Sequence, residues 1–567
     1  MQAITESGSS SAMTEHSKKA DFLRLNNLLT EVSLERTRAG RRTIYVDLMH
    51  DNLHYQMRSL VIGRAVAHLF GLPLVGIVGN PGVVRRSAYL PPKDVDLKLI
   101  RSFGIRKIIR VPQSQVDTPT SQQNAEALRK IIGNRLEGEV VPAEAIRALT
   151  AMCDGAVHLG RFLHGTVLRS QLMPELIGGP WLDSAIDDFA RLDAWLCRQL
   201  LDQPPAAFVT GHADYAPWGL AVERAIAAGG IGVHFHVDVR LPIYLLRRNA
   251  PGLTLHGQMR RADAQAFERF QKRVGKSRSA ARFAAVRHGR AYELSKNWRW
   301  VGATQAVQPS WPFEEGLPCV CLFTQTFTDQ PSSDESVFVD YLEWVEATLE
   351  HAAKHGGYNL LIKVHPYDGN FDLAFSINRL EAEYAHCPNI AFVRTQIPHV
   401  ELAQKCVLGL TVRGTPGLEM VAEGLPVLLA GLGTYSDLGL AQVAKDVRNY
   451  FECIERAVAK ARRKTHRSTA RMFMAWNRIL SPTGSGFLGP FDTSPPNAAF
   501  WERAASGVHA TTVEADELTQ TLARGWQEEP DQAAVRLISP ALEQLVERWS
   551  HESGQASGES SGASADA

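Results

Sequence analysis

Three short runs in this 567-residue sequence place polar or small residues where a ligand could be held: Lys363-Val364-His365-Pro366, Arg413-Gly414-Thr415-Pro416-Gly417-Leu418-Glu419 and Gly211-His212-Ala213-Asp214-Tyr215. An imidazole at His365 can donate to a phosphate oxygen or stabilise a departing phosphate, and Pro366 limits where that ring points. Gly414 and Gly417 let backbone N–H groups come close to a ligand, while Thr415 is placed to cap a helix that Pro416 begins, a combination suited to phosphate. Glu419 fits two uses: it can serve the dipole of that helix, or accept from ribose hydroxyls as acidic residues do in dinucleotide folds. His212 and Asp214 are general-base candidates for an acceptor hydroxyl. Each run also has a plainer reading, as a turn histidine, a capped helix, and a loop histidine followed by an aspartate N-cap. The same holds for Asp51 and His54, and for Arg85 and Arg86, which fit an anionic acceptor or a solvated face.

Position gives these runs their meaning. The buried-looking strand Leu360 to Val364 runs directly into His365, the strand Val407 to Val412 into Arg413, and the strand Ala206 to Thr210 into Gly211. In open α/β sheets the carboxyl ends of parallel strands and the following helix N-termini form the ligand crevice. Strand and helix patterns alternate from Thr43 (strands 43–48, 74–78, 107–111, 206–210 and 232–237) and again from Cys319 (strands 319–324, 359–364, 390–394, 407–412 and 426–430), which predicts two parallel sheets. Three prolines between Gln305 and Pro318 mark a linker. The expected organisation is a Rossmann-like acceptor domain at 21–304, that linker at 305–318, a Rossmann-like nucleotide-donor domain at 319–485 and a helical region at 486–550. A helix is expected over 436–461, and polar tails at 1–20 and 551–567 are expected to be disordered.

Several chemistries are excluded by motif context. The one GxGxxG match, Gly484 to Gly489, follows a predicted helix and meets Pro490, and Gly275-Lys276-Ser277 has Phe270 where a phosphate loop needs glycine. The lone Asp-x-Asp pair, Asp94 and Asp96, falls in a predicted helix, so no metal-clamped sugar diphosphate is indicated. With 61 Lys and Arg against 60 Asp and Glu, the net charge of +1 provides no field for nucleic acid. Seven scattered cysteines lack zinc spacing and fit a reducing compartment, and no apolar leader is visible, so a cytoplasmic location is expected.

The run Phe338 to Leu349, Leu361 to Pro366, Thr411 to Glu419, Gly424-Leu425-Pro426-Val427 and Gly433-Thr434-Tyr435 together resemble the bacterial capsule polysaccharide biosynthesis proteins, which are similar to Kdo transferases and more distantly to sialyltransferases of GT-B architecture. The resemblance covers about 317–440. It implies an α/β, GT-B-like fold of two Rossmann-like domains facing a cleft, with extra C-terminal helices. It also implies a metal-independent glycosyltransferase that takes a nucleotide-activated sugar, CMP-type and Kdo-like, and a glycan or glycolipid acceptor, working at the inner face of a membrane or in an assembly complex. His365 and Thr415 are then expected on the phosphate and Glu419 on the nucleotide, with Lys363, Pro366, Arg413, Gly414 and Gly417 around it. Gly414-Thr415 replaces the Ser-Ser or Ser-Thr pair usual there, so one hydroxyl donor is missing. A CDP-polyol phosphotransferase, a non-catalytic subunit of the same fold and a sugar-nucleotide epimerase are the alternatives.

Overall fold

The computed structural model describes residues 6–34, 42–50, 52–79, 96–112, 117–238, 240–250, 252–296, 311–314, 316–331, 336–394, 397–460, 465–491 and 495–558. In the first unit the strands are β1 (Thr43–Asp47), β2 (Leu74–Val78), β3 (Ile105–Arg110), β4 (Pro205–Thr210), β5 (Ile231–Phe235) and β6 (Ile243–Leu246). In the second they are β7 (Cys319–Phe323), β8 (Asn359–Lys363), β9 (Ile390–Val393), β10 (Cys406–Thr411), β11 (Val427–Leu429) and β12 (Gln442–Val443). The remaining strand, β13 (Ala534–Arg536), lies near the end of the chain.

The first sheet has the order β13-β6-β5-β4-β1-β2-β3, and the second β12-β11-β10-β7-β8-β9. β1 to β5 run parallel and β6 reverses against β5, whereas every pairing in the second sheet is parallel. Helices cover both faces, which is why β2 and β7 are apolar without alternation and, like β1, buried along their whole length. Each sheet separates two apolar layers, for example Val320, Leu322 and Leu360 on one face of the second sheet and Cys319, Cys321 and Leu361 on the other. The loops after β4 and β7 touch, so the carboxyl edges of the two Rossmann-like sheets face each other in a GT-B-like arrangement.

Four expectations need correction. Residues 6–20 are helical, not a disordered tail: they belong to helix Glu6–Leu34, whose Phe22 packs 5.5 Å from Trp501 and 6.1 Å from Phe103, ring to ring. Residues 1–5 lie outside the described residues. At the other end residues 551–558 continue helix Pro540–Gly558, and 559–567 are outside. The segment 436–461 is broken by Gly439 at φ 64°, a left-handed turn that separates a short 3-10 turn from β12 and helix Val447–Ala459. The region 486–550 is not wholly helical, because β13 pairs antiparallel with β6 and completes the first sheet.

The units are joined more firmly than a proline linker would allow. Helix Leu255–Val274 begins in the first core with Leu255, Met259 and Ala262 and ends in the second with Phe267, Phe270 and Val274. The expected linker lies largely outside the described residues, and Trp311 and Phe313 at its end pack on the second core. The C-terminal stretch serves both units: Trp501, Leu518 and Leu522 are in a first-unit core, while Leu542, Val546 and Trp549 are in the second.

Candidate functional site

The carboxyl edge of the second sheet gathers the ends of β7, β8 and β10. Because β7 lies between the other two, its last residues tie them together. Thr324 Oγ1 accepts from the His365 amide at 2.7 Å, and Gln325 Nε2 donates to Thr411 Oγ1 at 3.1 Å. Thr411 Oγ1 also accepts from the Gly414 amide at 3.2 Å. Thr324 and Gln325 were not singled out from the sequence. The available signal was their place, at and directly after the end of a strand read at 319–324.

His365 is half-buried, and its Nδ1 accepts from the Tyr367 amide at 3.2 Å. Burial pushes its pKa down to about 4; the Asp329 charge opposes that shift and Lys363 adds to it. At neutral pH the ring is therefore uncharged, able to donate one hydrogen bond but not to act as a standing cation. Lys363 is half-buried and its pKa is lowered by burial, with Cys321 opposing, while Pro366 is exposed.

Gly414 is the N-cap of helix Thr415–Glu423, and no side chain caps that end. Thr415 is thus the first helical residue, exposed, and not the cap expected of it. Gly414 and Gly417 are small because the space is taken: a Cβ on Gly414 would lie 2.5 Å from Gln325 Nε2, and one on Gly417 2.0 Å from Tyr435 Oη. Tyr435 Oη donates to the Gly414 carbonyl at 2.9 Å, bracing the turn from behind. Glu419 is buried and faces His399, whose Nδ1 is 3.2 Å from its Oε2.

Arg413 turns toward the other unit. Its Nε donates to Tyr341 Oη at 3.0 Å, and its Nη2 to the Gln330 carbonyl at 3.0 Å and to Gln330 Oε1 at 2.7 Å. Gln330 Nε2 in turn donates to Asp214 Oδ2 at 2.5 Å, and the Gln330 amide to Tyr215 Oη at 2.9 Å. Tyr215 Oη donates to Asp329 Oδ1 at 2.9 Å. A continuous polar chain therefore links the β10 end with the β4 end across the cleft.

The two first-unit candidates sit in different surroundings. Asp214 is buried, and His256 Nε2 lies 2.5 Å from its Oδ1. Burial alone would raise the Asp214 pKa, but His256, Arg413 and His234 together hold it below the usual carboxylate value. His212 is stacked with His50 at 4.9 Å and Tyr55 at 5.0 Å, both rings tilted only 7°, with Trp218 at 4.9 Å. Burial first, then neighbouring histidines and Arg169, push its pKa well below 6.5. His54 packs edge-on against Phe491 and Phe500, while Asp51, Arg85 and Arg86 lie outside the described residues. Among the described residues, no three His, Cys, Asp or Glu side chains group to hold a metal ion.

Between the units a small pocket is lined by His158, Arg161, Asp214, Glu223, His256 and Gln330, among others. His256, Gln330 and Asp329 were not anticipated, since no local pattern marks them and only the docking of the units brings them to the cleft.

Residues 301–473 match the sequence model of a family described as capsule polysaccharide biosynthesis protein. The resemblance read over 317–440 lies within the matched segment. No curated protein matches the chain. Among solved structures, the Thermosulfurimonas dismutans KpsC beta Kdo 2,4 transferase is similar at 16% identity, covering 49% of this chain and 80% of that one, with a TM-score of 0.29. The beta Kdo 2,7 transferase of the same protein covers 56% of this chain and 88% of that one, at 11% identity and a TM-score of 0.28. A UDP-GlcNAc 2-epimerase from Neisseria meningitidis covers 83% and 98%, at 10% identity and a TM-score of 0.23. Among the described residues, no helix is long and apolar enough to cross a membrane.

Proposed function

We propose that the chain is a glycosyltransferase of capsule or surface polysaccharide synthesis, moving a Kdo-like sugar from a CMP-type nucleotide donor to a glycan or glycolipid acceptor without a metal. The observation that carries this is the convergence of the β7, β8 and β10 ends with the glycine-lined N-terminus of helix Thr415–Glu423, inside the segment that matches the capsule family. That edge offers a helix N-terminus with little side-chain bulk and a neutral imidazole at His365, a setting suited to a nucleotide phosphate.

The reaction is displacement at the anomeric carbon of the donor. His365 and the helix end stabilise the departing phosphate, while the first unit supplies the base, at or next to Asp214. Gln330 joins the two halves of the site, since it bonds both Arg413 and Asp214.

The test is His365→Ala with CMP as ligand. Removing the ring is expected to abolish the rise in melting temperature given by CMP and to leave the unliganded melting temperature within a few degrees of the parent. A variant that binds CMP as the parent does would remove His365 from the nucleotide seat.

A further inference from the structure

A second cavity, a groove of about 410 Å³, opens on the surface where the two units meet. That is within the size range of small-molecule sites, roughly 300–1,000 Å³. Its wall is mostly apolar: Met173, Ile177, Trp181 and Leu182 come from the first unit and Leu373 from the second. Glu137 is the one charged residue of the wall and Gln171 the one side-chain amide. Large apolar side chains at and next to the wall stand in water, with Leu373 and Phe375 each 56% exposed and Leu136 74%. An apolar cluster of this kind on a water-facing surface marks an interaction site.

The frame of the groove is fixed by the backbone. The Gly138 amide donates to the Gly178 carbonyl at 3.2 Å and the Gly178 amide to the Glu139 carbonyl at 2.7 Å. Across the units, the Leu373 amide donates to the Leu172 carbonyl at 2.8 Å, and the Arg169 guanidinium lies 4.0 Å from the centre of the Phe371 ring. Leu172 at φ 54° and Phe375 at φ 50° hold left-handed backbone, which bulky residues rarely adopt, and strain of this kind collects at binding sites. The groove also continues the cleft. Helix Leu159–Gln171 lines the pocket between the units with Arg161, Phe162 and Gly165, and lines the groove with Gln171, roughly 9 Å further along its axis. On the other side the chain runs from His365, after β8, through the short helix Asp368–Phe371 to Leu373. A molecule that reacts in the cleft can therefore lay its far end in the groove.

The chemistry of the wall selects that end. Among the described residues no cation lines the groove, so a phosphate or a carboxylated sugar meets no counter-charge, and an anionic bilayer surface meets the carboxylate of Glu137. Sugar hydroxyls find two polar side chains, Glu137 and Gln171, against five large apolar ones. An uncharged hydrocarbon chain leaves no polar group unpaired there and removes exposed apolar surface from water. We propose that the groove seats the alkyl chain of a glycolipid acceptor whose head group enters the cleft; the inference rests on the glycosyltransferase reading and decides between the glycan and glycolipid acceptors which that reading allows.

The full-length protein is titrated calorimetrically with methyl, hexyl, octyl and decyl β-glucoside below their micelle concentrations, and by thermal shift with CMP, CDP and UDP. Methyl glucoside is expected to give no measurable binding, and affinity is expected to rise along the series by up to about 4-fold per methylene. Leu373→Asp and Trp181→Ser, at positions already open to water, are expected to weaken octyl glucoside binding by about 10-fold or more. Both are expected to keep the unliganded melting temperature within a few degrees of the parent and to keep the CMP-induced rise. Leu201→Ser, at an exposed apolar position roughly 30 Å away near the other end of helix Pro180–Asp202, is expected to change nothing. Affinity that ignores chain length, or that falls equally in all three variants, would overturn the assignment. So would a parent dimer that Leu373→Asp dissociates, or Trp181-dependent binding to phosphatidylglycerol vesicles without binding of the single-chain glucosides. Chain-dependent binding in a parent that CMP, CDP and UDP all fail to stabilise would overturn the glycosyltransferase reading, and with it the acceptor role, while the chain site stands.

Discussion

At the scale of residues, the candidate site depends on what is kept small. Gly417 has no strained backbone; it is glycine because the buried Tyr435 hydroxyl occupies the place of a Cβ. Gly417→Ala is expected to cost about 1–3 kcal/mol, measured as a urea midpoint, because a fully buried ring cannot move aside without repacking. In a Tyr435→Phe background the same change is expected to cost less, since the clashing oxygen is gone; equal costs in both backgrounds would deny the contact. The sequence made the two glycines, Arg413 and His365 legible, because strand-end position and small residues are local signals. It misplaced the role of Thr415, which lies inside the helix rather than at its cap. It could not reveal His256 or Gln330, whose meaning comes from residues 42 and 116 positions from them in the case of Asp214.

At the scale of elements, hydrophobic alternation and run length located the core strands of both sheets to within a residue or two, because buried parallel strands are near-continuous apolar runs. β6, β12 and β13 escaped because they span only two to four residues each, too few for a pattern to show. The cost of overlooking β13 is clearest at Arg536, which is fully buried, with Nη1 3.3 Å from Asp263 Oδ1 and Nη2 2.9 Å from Ser481 Oγ. Asp263 lies on the helix that spans both cores, so this pair fastens the returning C-terminal strand to the element joining the units. Arg536→Leu leaves the Asp263 carboxylate buried with Tyr244 but without its cationic partner and is expected to cost about 3–5 kcal/mol in urea unfolding. A loss below about 1 kcal/mol would show that the strand is held by apolar packing alone.

At the scale of the whole molecule, two Rossmann-like sheets meet edge to edge and the polar chain from Arg413 through Gln330 to Asp214 and His256 runs across the join. Composition and alternation made the two-sheet architecture readable, and their relative placement came only from folding, through the bridging helix and the shared C-terminal stretch. The second unit is proposed to seat a nucleotide. Its most direct test is a thermal-shift titration of the full-length protein with CMP, CDP, UDP, GDP and NAD, because a ligand that binds only the folded state raises the melting temperature. Stabilisation by CMP above the others is expected, rising with the logarithm of concentration once the site is saturated. A flat response to all five nucleotides, or stabilisation by NAD alone, would contradict it.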